Sequence, residues 1–447
     1  MKRSILVLMV GAWFVLNMAS CGHSTNGIVK PPSGLLERVM ATQSVTSPTS
    51  FGEIAIINGQ NDTIPRVQPL SAGTSPGMIA ISPTRNVLAT FDAAPNSNTV
   101  YAVNTVKETG IGQVRLPGPT RSFILPTSDP IGYAAVPNAT VNGFSLLGAV
   151  EQMNFSSNSL TVTIGVDTAT TVVANSTGSQ LLVFSSSLQG ESAVTILNPG
   201  SAVPPVDTSC DTAPNAVCTV VTSPQFYWPV YAVVNGTTAY ILNCGPQCGD
   251  DAAKLPDQAS VVVFDLTTLT IITTIPVEAA TWALLSGSTL YVAGTPPTNN
   301  ACTGQTTMAQ NCGRLDIIDT GSLTVTTSGV VITDGYHDKM DLNVVGQLFI
   351  GSHECTNIGN VNNPSGEVRG CLSIYSTATG SVFIPPDNGN VDGLQGFISR
   401  PIEYVAEGGN LRVYNVTTDK LLINDFVTNG TIPLVGYVGD IKAVDSF

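Results

Sequence analysis

The sequence predicts an all-β fold, one closed β-propeller, and three observations carry that expectation. A unit of four short strands recurs along the chain, the two chain ends supply the halves of one further unit, and charged residues are scarce. Only 11% of the 447 residues are Asp, Glu, Lys or Arg, too few to wet the outer faces of long amphipathic helices. β-Branched residues between neutral polar turns build short strands instead.

Named A to D in chain order, the strands of the first clear unit are Met78–Ser82, Val87–Thr90, Thr99–Val103 and Gln113–Leu116. Further A strands are expected at Ser122–Leu125, Val162–Val166, Val230–Val234, Trp282–Leu285, Met340–Val344 and Gly396–Ile398. B strands follow at Gly132–Val136, Thr171–Ala174, Ala239–Leu242, Thr289–Ala293, Leu348–Ile350 and Glu403–Val405. C strands include Leu181–Phe184, Val261–Phe264, Leu315–Ile318, Leu372–Tyr375 and Leu411–Tyr414. The period, about 40 to 55 residues, is that of propeller blades. At the ends, Arg38–Thr42, Glu53–Ile57 and Arg66–Leu70 read as B, C and D of a blade whose A strand comes from Asp440–Asp445. Closure by both termini removes the open edges a sheet would otherwise expose. The count favours eight four-stranded blades, or seven if the unit from Ser122 to Asn154 is not a full sheet.

The stretch Val261–Pro276, with Thr289–Ala293 and Ser71–Gly77, resembles the YVTN family of bacterial β-propeller repeats. The resemblance implies a propeller in an exported protein and no single activity. Several B strands lack the Tyr-Val core of that family, and inserts interrupt the second half of the chain.

The N-terminus reads as an export signal. Lys2 and Arg3 precede an apolar run from Ile5 to Leu16, and Asn17-Met-Ala-Ser-Cys21 follows. That run is shorter than a spanning helix of roughly 18 residues or more, so no transmembrane helix is expected. The small residues before Cys21 resemble the lipobox of bacterial lipoproteins, with Met18 in place of the usual Leu. The resemblance implies cleavage before Cys21 and a membrane anchor on its thiol. The expected organisation is a signal peptide over 1–20, a linker over 21–36 stiffened by Pro31 and Pro32, and the propeller over 37–447. Gly22 after the lipid site, where an inner-membrane lipoprotein would carry Asp, favours the outer membrane or the periplasmic side of the envelope.

The remaining eight cysteines form neighbouring pairs: Cys210 with Cys218, Cys244 with Cys248, Cys302 with Cys312, and Cys355 with Cys371. Four loop-closing disulfides suit an oxidising compartment, although spacing alone leaves connectivity open. A metal site on Cys244 and Cys248 is the rival reading. With Cys210–Cys218 assigned to a D-to-A connection and the others to B-to-C connections, all four would decorate one face. The N-terminal segment would enter from the other. The formal charge of −14 excludes a basic nucleic-acid footprint, and a monomer is expected.

Candidate site residues cluster around two histidines. Asp334, His337 and Asp338 are expected in one D-to-A loop, and His353 and Glu354 at the start of the next B-to-C loop, on one face of one blade. Imidazole beside carboxylate suits metal binding or acid–base chemistry, and equally loop hydrogen bonding. Arg369, just before Cys371, is a candidate for an anionic ligand or for pairing with a carboxylate, and Arg314 and Arg400 lie in the same half. Asn388-Gly-Asn390-Val-Asp392-Gly393 begins like a calcium loop but has Ser399 where the closing Glu belongs. Gly73-Thr-Ser75-Pro-Gly77 matches a nucleophile elbow in letters only, since Pro76 lacks the N–H an oxyanion hole needs. No cofactor is expected, with calcium or a transition metal as the open alternatives. The expected role is a lipid-anchored scaffold binding an envelope protein, a glycan or a small ligand. The alternative is a channel-centred enzyme of lactonase, lyase or quinoprotein type.

Overall fold

In the computed structural model the described residues are 31–45, 51–140, 147–186, 192–201, 208–210, 217–248, 259–296, 312–355, 358–359, 368–385, 389–423, 427 and 430–445. They form eight blades, each built on four antiparallel strands, with one short strand added to two of them and a separate two-stranded insert. The innermost strand of each sheet contacts that of the next, and the contacts run through all eight back to the first. The chain is an eight-bladed β-propeller. No helix among the described residues is long and apolar enough to cross a membrane.

Blade 1 is the composite one. Its innermost strand is Tyr437–Ala443, followed outward by Arg38–Val45, Phe51–Asn58 and Leu70–Ser71. Innermost strands of blades 2 to 8 are Pro76–Ile81, Ser122–Ile124, Ala169–Ala174, Pro229–Asn235, Trp282–Ser286, Tyr336–Leu342 and Val391–Gly396. Between blades, alternate residues of facing sheets build the core. Blades 4 and 5, for instance, share Phe184, Ile196, Phe226, Ile241 and Phe264.

Five C-to-D hairpins share one turn. The last residue of each C strand, Asn104, Asn154, Asp265, Asp319 or Asn415, accepts backbone N–H groups two or three residues on. Four residues on, Glu108, Asn158, Leu269, Leu323 and Asp419 take left-handed conformations with φ of 50–56°. A side-chain cap followed by one left-handed residue sets each hairpin's register, so the outermost strand returns in phase.

Blades 3 and 4 correct the expected strand assignment. Leu147–Asn154 is the C strand of blade 3 and Ser159–Gly165 its D strand, so Val162–Val166 is not an A strand. Ala169–Ala174 is the A strand of blade 4 and Leu181–Ser185 its B strand, each one place inward of expectation. Glu151 and Gln152 hid the missing strand by breaking its apolar pattern. Both are satisfied inside the sheet: the Thr163 hydroxyl donates to Glu151 at 2.7 Å, and Gln152 accepts from Thr161 and donates to Tyr133. The unit from Ser122 is therefore a full sheet. Blade 8 likewise starts earlier than expected, at Val391 rather than Gly396.

Disulfides join Cys210 to Cys218, Cys244 to Cys248, and Cys355 to Cys371; Cys312 is also bridged, and Cys302 lies outside the described residues. The last two of the three named bridges brace B-to-C connections of blades 5 and 7, and Cys312 ends the B-to-C connection of blade 6. Cys210–Cys218 departs from the expected single face. It lies in the C-to-D connection of blade 4, between Ala193–Leu197 and Cys218–Thr222. There Thr208–Ser209 adds in parallel to the outermost strand of blade 3, so this bridge braces the outer rim between two blades.

Arg38 holds the closing seam. Its guanidinium donates to Asp445 at 2.7 Å through both Nε and Nη2, to Glu108 at 2.9 Å and to the Thr105 carbonyl. Its backbone N–H also reaches Asp445. Arg38 thereby ties the first strand to the chain end and to the C-to-D turn of blade 2. On blade 1's other side Arg400 makes two 2.7 Å bonds to buried Asp62, which also accepts from the Tyr404 hydroxyl. Segment 31–37 approaches from the side of the C-to-D turns, where Ser33 donates to both oxygens of Glu108 at 2.6 Å. Removing one partner from a buried ion pair strands the other. Arg38→Ala is expected to lower the unfolding free energy by about 3–5 kcal/mol, read by urea denaturation, with Arg38→Lys recovering only part of the loss.

Candidate functional site

The channel wall is two-sided. In blades 2 to 6 the innermost strands read PGMIAI, SFI, ATTVVA, PVYAVVN and WALLS, with no ionisable residue except Tyr231. In blades 7, 8 and 1 they read YHDKMDL, VDGLQG and YVGDIKA. All charge on the innermost strands thus falls on three adjacent blades.

Every innermost strand starts on the side of the B-to-C connections. The first few residues of each therefore ring the channel mouth beside the cysteine-braced inserts. Two of them are carboxylates placed by β-bulges. Register shifts between His337 and Lys339 and between Val391 and Gly393, leaving Asp338 and Asp392 as the extra, unpaired residues. A bulge frees a side chain from strict alternation and re-aims it. Both face His353, the last residue of the second strand of blade 7. His353 Nε2 lies 3.5 Å from Asp338 Oδ1 and 3.7 Å from Asp392 Oδ1. Lys339 pairs with Asp338 at 3.0 Å, and the Tyr437 hydroxyl donates to Asp392 at 2.6 Å.

Electrostatics at this cluster follow from burial and proximity. Burial pushes the Asp392 carboxyl above its ordinary range, against the Tyr437 hydrogen bond and the nearby His353 and Lys339. Burial also opposes charge on Lys339, but Asp338, Asp440 and Asp392 outweigh it and hold the ammonium more firmly protonated. Tyr336 is 44% exposed at the mouth. Its phenol is pushed up to about 12 by desolvation and by Asp338, against Arg121 of blade 3, on the far side of the ring. Along the same rim, Tyr231 of blade 5 and Trp282 of blade 6 stack at 3.9 Å with 19° between ring planes. Both are half-buried. Tyr231, too, is pushed up to about 12 by desolvation.

The residues expected together are split. His337 and His353 lie in strands, not in loops. His337 pairs in register with Ser352 and His353 with Tyr336, so the two imidazoles occupy opposite faces of one sheet. His337 is fully buried, near Thr281 and Thr333, and neither ring nitrogen makes a hydrogen bond of normal geometry. Burial lowers its pKa to about 4, with the Thr333 backbone and Asp338 offsetting only part. Asp334 gives its backbone carbonyl to Ser352 Oγ. Glu354 is exposed, and its N–H donates to Asn390 Oδ1. Arg369 pairs by its backbone with Ile358 in a two-stranded insert. Arg314 and Arg400 are held by Glu278 and Asp62 respectively. Asn388 lies outside the described residues. Ser75 belongs to a turn whose N–H groups, with those of Thr74 and Ala94, are capped by Asp92.

Tyr231, Trp282, Lys339 and Tyr437 were not singled out from sequence. Their common signal is position, at or near the start of an innermost strand. Among the described residues no set of three or more His, Cys, Asp or Glu side chains is placed to hold a metal ion. Lys339 already occupies one oxygen of Asp338.

At the opposite mouth, half-buried Asp341 and fully buried Glu403 lie together. Asp341 Oδ2 and Glu403 Oε2 are each within 2.9 Å of where a Gly396 Cβ would sit. Glu403 is raised well above the carboxylate range, by burial first and then by Asp341.

No family model matches the chain, and no curated protein matches it. Solved structures do. The dihydro-heme d1 dehydrogenase NirN is similar at TM-score 0.58 and 9% identity, over 93% of this chain and 79% of that one. The Dos1 propeller gives 0.55 and 10%, over 82% and 86%. A putative 6-phosphogluconolactonase from Bacteroides fragilis NCTC 9343 gives 0.50 and 13%, over 94% and 99%. At such identities the likeness is one of fold.

Two titrations are expected to carry opposite signs. His337 has a folded pKa below its unfolded one, so its contribution is present above the unfolded value and lost as pH falls from about 6.5 to 4. His337→Gln should remove roughly 1.4 kcal/mol per pH unit of slope in that window, read by urea denaturation against pH. Glu403 has a raised folded pKa, so its contribution is full at low pH and lost as pH rises through that value. Glu403→Gln should flatten the fall in stability that sets in as pH rises above the ordinary glutamate range, read by the same denaturation series.

Proposed function

We propose that the protein is a lipid-anchored propeller of the bacterial cell envelope that binds a ligand at the channel mouth beside the cysteine-braced inserts. The observation that carries this reading is the arc of Tyr231, Trp282, Tyr336, Asp338, His353, Asp392 and Tyr437 around that mouth. It combines partly open aromatic surface with hydrogen-bonding groups aimed by bulges, the usual composition of a ligand site. The disulfides fit an extracytoplasmic compartment. The N-terminal charges, apolar run and Cys21 supply the export signal and anchor, in keeping with the likeness to exported YVTN repeats. Segment 31–37 comes from the opposite face, so an anchor on Cys21 presents the binding mouth away from the membrane. A channel-centred enzyme draws less support, because His337 and His353 share no acid–base site.

Expression of the full chain in a bacterial host with labelled palmitate tests the anchor. The wild type is expected to incorporate label and sediment with membranes, and Cys21→Ser to do neither. A wild-type product that carries no label, or whose first residue is not Cys21, overturns the lipid anchor.

A further inference from the structure

We propose that the ligand taken at this mouth is a neutral saccharide, held by one pyranose ring between the aromatic and the charged parts of the arc. The inference rests on the binding reading above and adds the chemical class.

Charge is the first argument. The ionisable groups of blades 7, 8 and 1 are largely paired among themselves: Lys339 with Asp338 at 3.0 Å and Lys442 with Asp440 at 3.3 Å, while Asp392 accepts from Tyr437. A strongly charged ligand would have to break the Lys339–Asp338 pair or compete with it. A neutral ligand leaves it in place. The second argument is the mixture of hydrogen-bonding groups. Lys339 and Tyr336 donate, Asp338 and Asp392 accept, the Tyr437 oxygen accepts because its proton is given to Asp392, and His353 does either. Asp338 Oδ1 and His353 Nε2 face each other at 3.5 Å on half-buried side chains, and neither atom makes a hydrogen bond of normal geometry. Hydroxyl groups both donate and accept, and neighbouring sugar hydroxyls match such interleaved partners. The third is the Tyr231–Trp282 stack, half-buried on the same rim. A pyranose presents an apolar C–H face and a polar rim of hydroxyls, and an aromatic ring takes the first while a polar cluster takes the second. Register places both parts at the same end of adjacent innermost strands, with Tyr336 of blade 7 between them.

The test is isothermal titration of the full chain in detergent with triacetylchitotriose, cellotriose and maltotriose, with choline and gluconate as charged comparisons. Tryptophan emission supplies a second readout, since Trp282 belongs to the site. At least one trisaccharide is expected to bind saturably and shift the emission. Trp282→Ala and Asp392→Asn are each expected to weaken it about tenfold or more. Trp282→Phe and Tyr437→Phe serve if the first variants do not fold by circular dichroism. Tighter binding of choline or gluconate than of any trisaccharide overturns the class, and so does trisaccharide binding indifferent to both substitutions. Should no trisaccharide bind, the class falls. The mouth reading falls with it only if choline and gluconate also fail and a photo-crosslinker placed at Tyr336 captures no envelope component.

Discussion

A propeller is a ring, and a ring needs one joint that closes it. Here the joint is the antiparallel ladder between Arg38–Val45 and Tyr437–Ala443, in which residues from the two ends of the chain share one sheet. The other seven blades are local in sequence. This one must wait for nearly the whole chain to be placed. The ladder is flanked by buried charge on both sides. Arg38 reaches forward into blade 2, and Arg400 of blade 8 reaches into blade 1 at Asp62. Asp440 adds a third tie, accepting the Ile79 N–H of blade 2. Directional ion pairs at the seam specify register where apolar packing alone tolerates slippage.

The same joint positions the candidate site. Tyr437 and Asp440 stand on the closing strand, beside blade 8 with its bulged Asp392 and one blade away from the bulged Asp338 of blade 7. The mouth is therefore complete only in the closed ring. Five blades with uncharged innermost strands provide a stiff, apolar wall, and three provide the chemistry. The B-to-C connections of blades 5 to 7 leave and rejoin their sheets on that side, whereas five C-to-D turns of the other side are short and share one geometry. Loops on a rigid scaffold are where binding concentrates.

Much of this was legible from residues alone. Strand pattern and complementary ends gave eight blades because propeller strands are short and local. The pattern failed where polar residues sit inside a sheet. Glu151 and Gln152 concealed a strand, which moved three assignments and carried Cys210–Cys218 to the wrong connection. The histidines show a subtler limit. Nothing in their neighbourhoods separates His337 from His353, yet strand register sends one into a dry interface and the other to the mouth. A bulge is one unpaired residue and leaves no mark in composition, so Asp338 and Asp392 could be noticed but not aimed. The Tyr231–Trp282 stack joins different blades and is visible only once the ring is built.

Where the chain enters the ring also decides how the domain bears load. Any pull on segment 31–37 is passed first to the Ser33–Glu108 contact and the Arg38 network. Beyond them it runs along the axis of Arg38–Val45, between Phe51–Asn58 on one side and Tyr437–Ala443 on the other. Tension along a strand strains its cross-strand bonds together, in shear, rather than peeling them one at a time. A load applied from that side is thus taken by a strand paired on both flanks. The joint that could open the ring is loaded in its strongest direction.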